Sequence, residues 1–275
     1  MNELVSRFPQ LAMLTDPLFA LPLATGAVYA LLLPLIGAYL RLRDEWLAAL
    51  AFAQTAAAGA LLGLALALPP ATGGLLGAVI AAAAKNWAEG RRGERAGATA
   101  YALLLIAGWA LAVLLAANLP IAERLGHALF DGQLYFTDTE HLYTALTAGA
   151  VALFGLRRLS SRLLLARLFP DLLRCRGMAE GPLHLAFDLL AAAILGLATL
   201  AIGVMAAFAL IFVPPLLAAR WAKSWTSSLI IGVSVGIVGY LVAFLLALLT
   251  DQPFGPVLAL LLVTAGAVGG LPGRR

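Results

Sequence analysis

Charge is scarce in this chain. Of its 275 residues only 12% are Asp, Glu, Lys or Arg, against about 25% in a typical soluble domain. Much of its surface must therefore face something other than water. Cysteine is scarcer still: Cys175 stands alone. That excludes a disulfide framework and a thiolate zinc cluster, and it says little about compartment. The sequence also lacks a phosphate-cradling GxxxxGK[ST] loop, a GxSxG elbow, an HExxH helix and paired acids inside an apolar run. These absences exclude ATP binding by a P-loop and leave no convincing constellation for hydrolytic or zinc-dependent catalysis. The N-terminus has no basic region ahead of an apolar core, so no cleavable signal peptide is expected.

What is present is apolar: 63% of residues are hydrophobic and the mean hydropathy is +0.97. Runs long enough to cross a bilayer recur along the chain. We read spans at 18–40, 46–68, 74–84, 98–117 and 143–156, two short ones within 183–219 with a break near Gly203, and further spans at 227–249 and 257–270. Residues 1–17 form an N-terminal interfacial segment, and 18–271 a single transmembrane domain with a cytoplasmic segment at 157–182. In the short run 74–84, Lys85 and Trp87 are expected to snorkel or anchor at the headgroups. Residues 89–95 read as a hydrophilic loop.

The basic residues cluster at Arg41/Arg43, 85–95, 157–176, Arg220/Lys223 and Arg274/Arg275, alternating with charge-poor turns. By the positive-inside rule all five clusters are cytoplasmic. The net charge of +4 thus orients spans, and no nucleic-acid partner is expected. The fold class is an all-α polytopic membrane protein with about nine transmembrane helices, N-terminus outside and C-terminus cytoplasmic. Eight result if 74–84 or 257–270 is re-entrant. Long runs without period-two alternation exclude a β-barrel.

Several residues interrupt this pattern. Gln54 lies deep in the second span, where a buried amide needs a partner. It serves either as glue between helices or as lining of a substrate path. Pro214 and Pro215 sit inside an apolar run and predict a broken helix, tolerated only if buried or lining a cavity. His127 with Asp131 stands at i,i+4 spacing, as does Thr137 with His141. With Asp138 these imidazoles and carboxylates make a candidate outer vestibule for a divalent transition metal, or else a solvated loop. His184 and Asp188, also four apart, read as an interface hydrogen bond. Arg157–Gly177, RRLSSRLLLARLFPDLLRCRG, is either a lipid-hugging basic helix or a docking site.

The order of motifs resembles the membrane permease subunits of zinc/manganese-type ATP-binding-cassette importers, the ABC-3 family. The stretch from Gly203 through Pro214 to Arg220 is similar to that family's "vG-lLv-alLi-Pa-tA-l". Gly239-Tyr240 with 251–256 (DQPFGP) is similar to "G-y-s…dlPtGp", 129–134 (LFDGQL) to "LfGdlL", and Phe169-Pro170-Asp171 through Gly177 to "fDpe-A-a-G". The resemblance spans about 18–270. It implies a permease that moves zinc or manganese by alternating access across a bacterial cytoplasmic (inner) membrane, as a homodimer in the lipid bilayer. It also implies a cytoplasmic ATPase subunit that binds ATP, with no cofactor on this chain, and an extracytoplasmic metal-binding solute-binding protein. By the same resemblance Gln54, Leu50, Pro214 and Pro215 belong to the translocation pathway, and Phe169, Pro170, Asp171, Arg174 and Gly177 to the ATPase contact. One departure stands out. Where the family reads "GDalsHa", this chain has Leu50 for the Asp and Gln54 for the His. Leucine ligates nothing and an amide oxygen is a weak zinc ligand. A permease for a non-metal or chelated-metal substrate therefore stays open, as does a stand-alone carrier. The carrier would need an ionisable group at mid-membrane, and none is evident in the spans.

Overall fold

The computed structural model describes residues 17–120, 137–169 and 180–270, with single positions at 126, 129, 134 and 171. The described residues form nine α-helices and no strand. They are α1 (Pro17–Arg43), α2 (Trp46–Ala65), α3 (Pro70–Arg92), α4 (Glu94–Asn118), α5 (Thr139–Leu168), α6 (Glu180–Ile202), α7 (Val204–Trp221), α8 (Trp225–Thr250) and α9 (Phe254–Gly270). Six of them, α1, α2, α4, α6, α7 and α8, are long and apolar enough to cross a membrane. The interfacial segment 1–17 lies outside the described residues apart from Pro17, which opens α1.

Helix ends follow local chemistry. α1, α2 and α8 each stop at a non-glycine residue in the left-handed region: Asp44, Ala67 and Asp251. In each case the next amide reaches back five residues, Glu45 to Leu40, Leu68 to Gly63 and Gln252 to Ala247, which satisfies a carbonyl orphaned at the helix end. α6 and α7 are parted by Gly203 alone, at φ +88°, so the expected break falls where the sequence puts it.

Elsewhere the helices are longer than the apolar runs. The short run 74–84 becomes a continuous α3 from Pro70 to Arg92, and the hydrophilic loop at 89–95 shrinks to Gly93, at φ +83°. Hydropathy ends where charge begins, but a helix only needs its polar turns to be solvated or paired. α5 likewise runs on through Arg157, Arg158 and Arg162, all exposed, to Leu168.

The helices pack as two groups. α2 lies between α3 and α4 and touches α6, while α7 packs on α1, α8 and α9; α6 with α7, and α2 with α7, join the groups. Small residues set the close approaches. A Cβ on Gly63 or Gly77 of the α2–α3 pair would lie 3.0–3.1 Å or less from the facing glycine's Cα, so these backbones touch as membrane helices with small-residue faces do.

Candidate functional site

α2 carries Leu50 and Gln54 one turn apart, hence on one face. Leu50 is half-buried beside an apolar cluster that includes Ala53, Ala57, Ala112 and Val204. Gln54 is 7% exposed, and its Oε1 has no hydrogen-bond partner among the described residues. α4 lies hard against it: a Cβ on Gly108 would fall 2.9 Å from the Gln54 carbonyl carbon. An acceptor buried without a donor costs about 1–3 kcal/mol. Packing alone does not explain keeping one there.

α7 is not broken at its prolines. It is helical from Val204 to Trp221 with Pro214 and Pro215 buried inside it, which corrects the expected interruption. Pro215 has no N–H, so the Ile211 carbonyl loses its helical donor. That oxygen is the atom a Cβ on Gly37 of α1 would strike. Glycine leaves room for a Cα–H contact in its place. One turn later on α1, Arg41 Nη1 donates to the Pro215 carbonyl at 2.8 Å. α1 thus seats Gly37 on the freed Ile211 carbonyl and holds α7 one turn on through Arg41, and the helix stays continuous.

At the end of the bundle where α1 meets α2, a buried charge cluster has formed that sequence reasoning did not anticipate. Asp188 of α6 has a fully buried side chain; its Oδ1 takes Arg43 Nη1 at 2.6 Å and its Oδ2 takes Lys85 Nζ at 3.0 Å and Asn86 Nδ2 at 2.8 Å. Lys85 also reaches Glu45 at 3.0 Å and Glu89 at 2.7 Å, and Arg43 Nη2 lies 2.8 Å from Glu45. The Tyr101 hydroxyl donates to Glu45 at 3.3 Å. Burial holds the Glu45 carboxyl above the usual range, with Arg43 and Lys85 pulling it back. Lys85 is therefore not a snorkelling residue: it is 1% exposed, whereas Trp87, two residues on, is 63% exposed. Nor is Asp188 paired with His184 in the expected interface hydrogen bond; its partners come from α1 and α3. One signal was available in the sequence: a carboxylate inside an apolar span must face the bundle interior and find cations.

Beside the cluster lies a cleft of about 620 Å³, lined by Arg43, Glu45, Leu163, Arg167, Glu180 and His184 among others. Arg167 and Glu180 flank the segment joining α5 to α6. Of the residues expected at the ATPase contact, Phe169 caps α5 and is 61% exposed, and Asp171 is exposed; Pro170, Arg174 and Gly177 lie outside the described residues.

In the candidate vestibule, His127 and Asp131 also lie outside the described residues. Asp138 and His141 are found together as the N-cap of α5: Asp138 Oδ1 takes the His141 amide at 3.1 Å and faces its Nδ1 at 2.7 Å. The bond with the His141 side chain holds the Asp138 carboxyl below its usual range. Among the described residues, no group of three or more His, Cys, Asp or Glu side chains converges as a metal site.

A family model described as the ABC 3 transport family matches residues 16–268. No curated protein matches the sequence. Among solved structures, PsaBC from Streptococcus pneumoniae in complex with Fab is similar, at 18% identity and a TM-score of 0.83, covering 97% of this chain and 96% of that one. An inward-facing transporter described as of metal-chelate ABC type is similar at 16% identity and a TM-score of 0.77, covering 95% of this chain and 88% of that one. At these identities the likeness carries the fold.

Proposed function

This chain belongs to the ABC 3 transport family, and on that premise we propose that it is the membrane-spanning importer subunit for a divalent transition metal, zinc or manganese. The family match along almost the whole chain carries the reading. All nine helices cross a bacterial cytoplasmic membrane, with the N-terminus outside and the C-terminus in the cytoplasm. Two copies form the pathway between them, bounded by the Leu50–Gln54 face of α2 and by the proline-bearing α7. A separate ATPase subunit binds ATP and docks on 168–178, with Phe169, Pro170, Asp171, Arg174 and Gly177 in its groove. A solute-binding protein delivers the cargo, which passes the Asp138–His141 end with His127 and Asp131. ATP drives alternating access through rocking of the two copies.

The test is ATP-dependent uptake of radioactive zinc or manganese by proteoliposomes holding this chain, its ATPase subunit and its solute-binding protein. Uptake is expected to stop when the ATPase is omitted. Persistent uptake would make the chain a stand-alone carrier and sink the importer reading. Leu50→Asp with Gln54→His restores the family's two ligating side chains, and retention of zinc in the pathway is expected to tighten about tenfold or more. Unchanged retention would remove these positions from the path.

A second reading has an observation behind it. Leu50 cannot ligate, Gln54 offers only an amide, and one relative is described as of metal-chelate type. Under this reading the cargo is a metal already held by an organic chelator, and uptake would require the chelate over the free ion.

Orientation has its own reporter. Cys175 is the sole cysteine and sits in the proposed ATPase contact. A membrane-impermeant maleimide is expected to label it in inside-out vesicles and not in right-side-out ones. Labelling from the outer face would invert the topology.

A further inference from the structure

At the same end of the bundle, on the other side of α1 from the charge cluster, α1, α5, α7 and α8 line an open cavity of about 490 Å³. Its cations are Arg41 and Lys223, and no carboxylate lines it among the described residues. Arg41 spends one guanidinium nitrogen on the Pro215 carbonyl and has further N–H groups. Ser224 and Ser228, also in the wall, stand at the start of α8. The Ser224 hydroxyl caps the helix by accepting from the Ser227 amide at 3.2 Å. That cap takes the Ser227 amide, and the Ser224 carbonyl takes the Ser228 amide at 2.9 Å, so what the helix start adds to the two cations is the positive end of its dipole. Trp225 is also in the wall, although its indole N–H is buried beneath the surface and does not donate into the cavity. The charge in the lining is thus all positive among the described residues.

The remaining wall is apolar: Leu42, Leu164 and Leu168 with Ala38 of α1 and Ala219 of α7. Trp225 is in the cavity wall and Trp221, 56% exposed, ends α7 close by in sequence, both of the residue type enriched at membrane–water interfaces. A bare anion would use the donors and leave the leucine wall without a partner. A phosphate carried on acyl chains uses both. We propose that this cavity binds the phosphate of an anionic phospholipid from the leaflet that meets the basic helix ends, with its chains along Leu42 and Leu164. Basic pockets between membrane helices take lipid headgroups by this chemistry. The proposal rests on the chain being a membrane protein and is independent of what it transports.

The experiment is thermal unfolding of the purified full chain in a neutral detergent, with dioleoylphosphatidylglycerol, dioleoylphosphatidylcholine or inorganic phosphate added. Phosphatidylglycerol at saturation is expected to raise the unfolding temperature by about 5 °C, with little effect from the other two. Lys223→Gln, at an exposed side chain, is expected to retain the fold and lose about half of the shift. Lys223→Gln with Ser228→Ala should lose most of it. Arg91→Gln removes the same charge away from the cavity and should keep the full shift. An equal shift with phosphatidylcholine, or an undiminished one in Lys223→Gln, overturns the proposal. A full shift with inorganic phosphate alone also overturns it, in favour of a free-anion site.

Discussion

Lys85→Met is expected to cost about 3–5 kcal/mol of stability, the range for removing one partner from a buried ion cluster, and to lower the unfolding temperature by about 10 °C or more. The side chain keeps about its volume and loses its charge and the N–H donors that go with it. Three carboxylates lie within 3.0 Å of the Lys85 ammonium, those of Glu45, Glu89 and Asp188. Without it the fully buried Asp188 shares one cation, Arg43, with Glu45, and Glu89 loses its ion pair. Two further results separate this electrostatic account from a packing one. Adding Asp188→Asn should recover a large part of the loss, because a neutral buried pair of similar shape is often no worse than the ionic one. The deficit should also shrink at low pH. Burial already holds the Glu45 carboxyl above its ordinary range, and losing Lys85 moves it the same way. A raised carboxyl stabilises the folded chain below its unfolded pKa, and that contribution is lost as pH rises through the folded value. The difference from wild type is therefore smallest in acid and grows toward neutrality. A deficit independent of pH, or no rescue by Asp188→Asn, would point to lost packing instead.

The same cluster shows where sequence reading stops. Apolar runs, the Gly203 break and the alternation of basic segments were legible because each is local or periodic. The family motifs could be placed by their order along the chain. The partners of Asp188 were not legible: Lys85 and Arg43 lie 103 and 145 residues away, and no spacing rule connects them. Lys85 looked like a snorkelling end because hydropathy stops there, although α3 goes on to Arg92. Pro214-Pro215 looked like a break because a proline's missing donor is visible in sequence, whereas the helix that serves the freed carbonyl is not. Gln54 was legible as an anomaly, and its oxygen, without a partner among the described residues, keeps it one.

That compensating helix gives the other large expected effect, at Gly37. A Cβ there would overlap the Ile211 carbonyl oxygen and come within 3.0 Å of the Pro215 ring. The oxygen belongs to backbone and cannot rotate away, so α1 and α7 must separate. Separation also strains the Arg41 bond to the Pro215 carbonyl one turn along. Overpacking commonly costs about 1–3 kcal/mol. Because the Cβ itself collides with backbone, Gly37→Ala should already reach the upper part of that range, and Gly37→Val should exceed it. Both are read from unfolding temperature in detergent and from the yield of folded chain. Pro215→Ala tests the cause. It returns an N–H to the Ile211 carbonyl, draws that oxygen into the helix and should restore part of what Gly37→Ala loses. If Gly37→Ala matches wild type, α1 is not seated on that carbonyl. If Pro215→Ala deepens the loss, the proline ring itself, rather than the carbonyl it frees, is what α1 packs against.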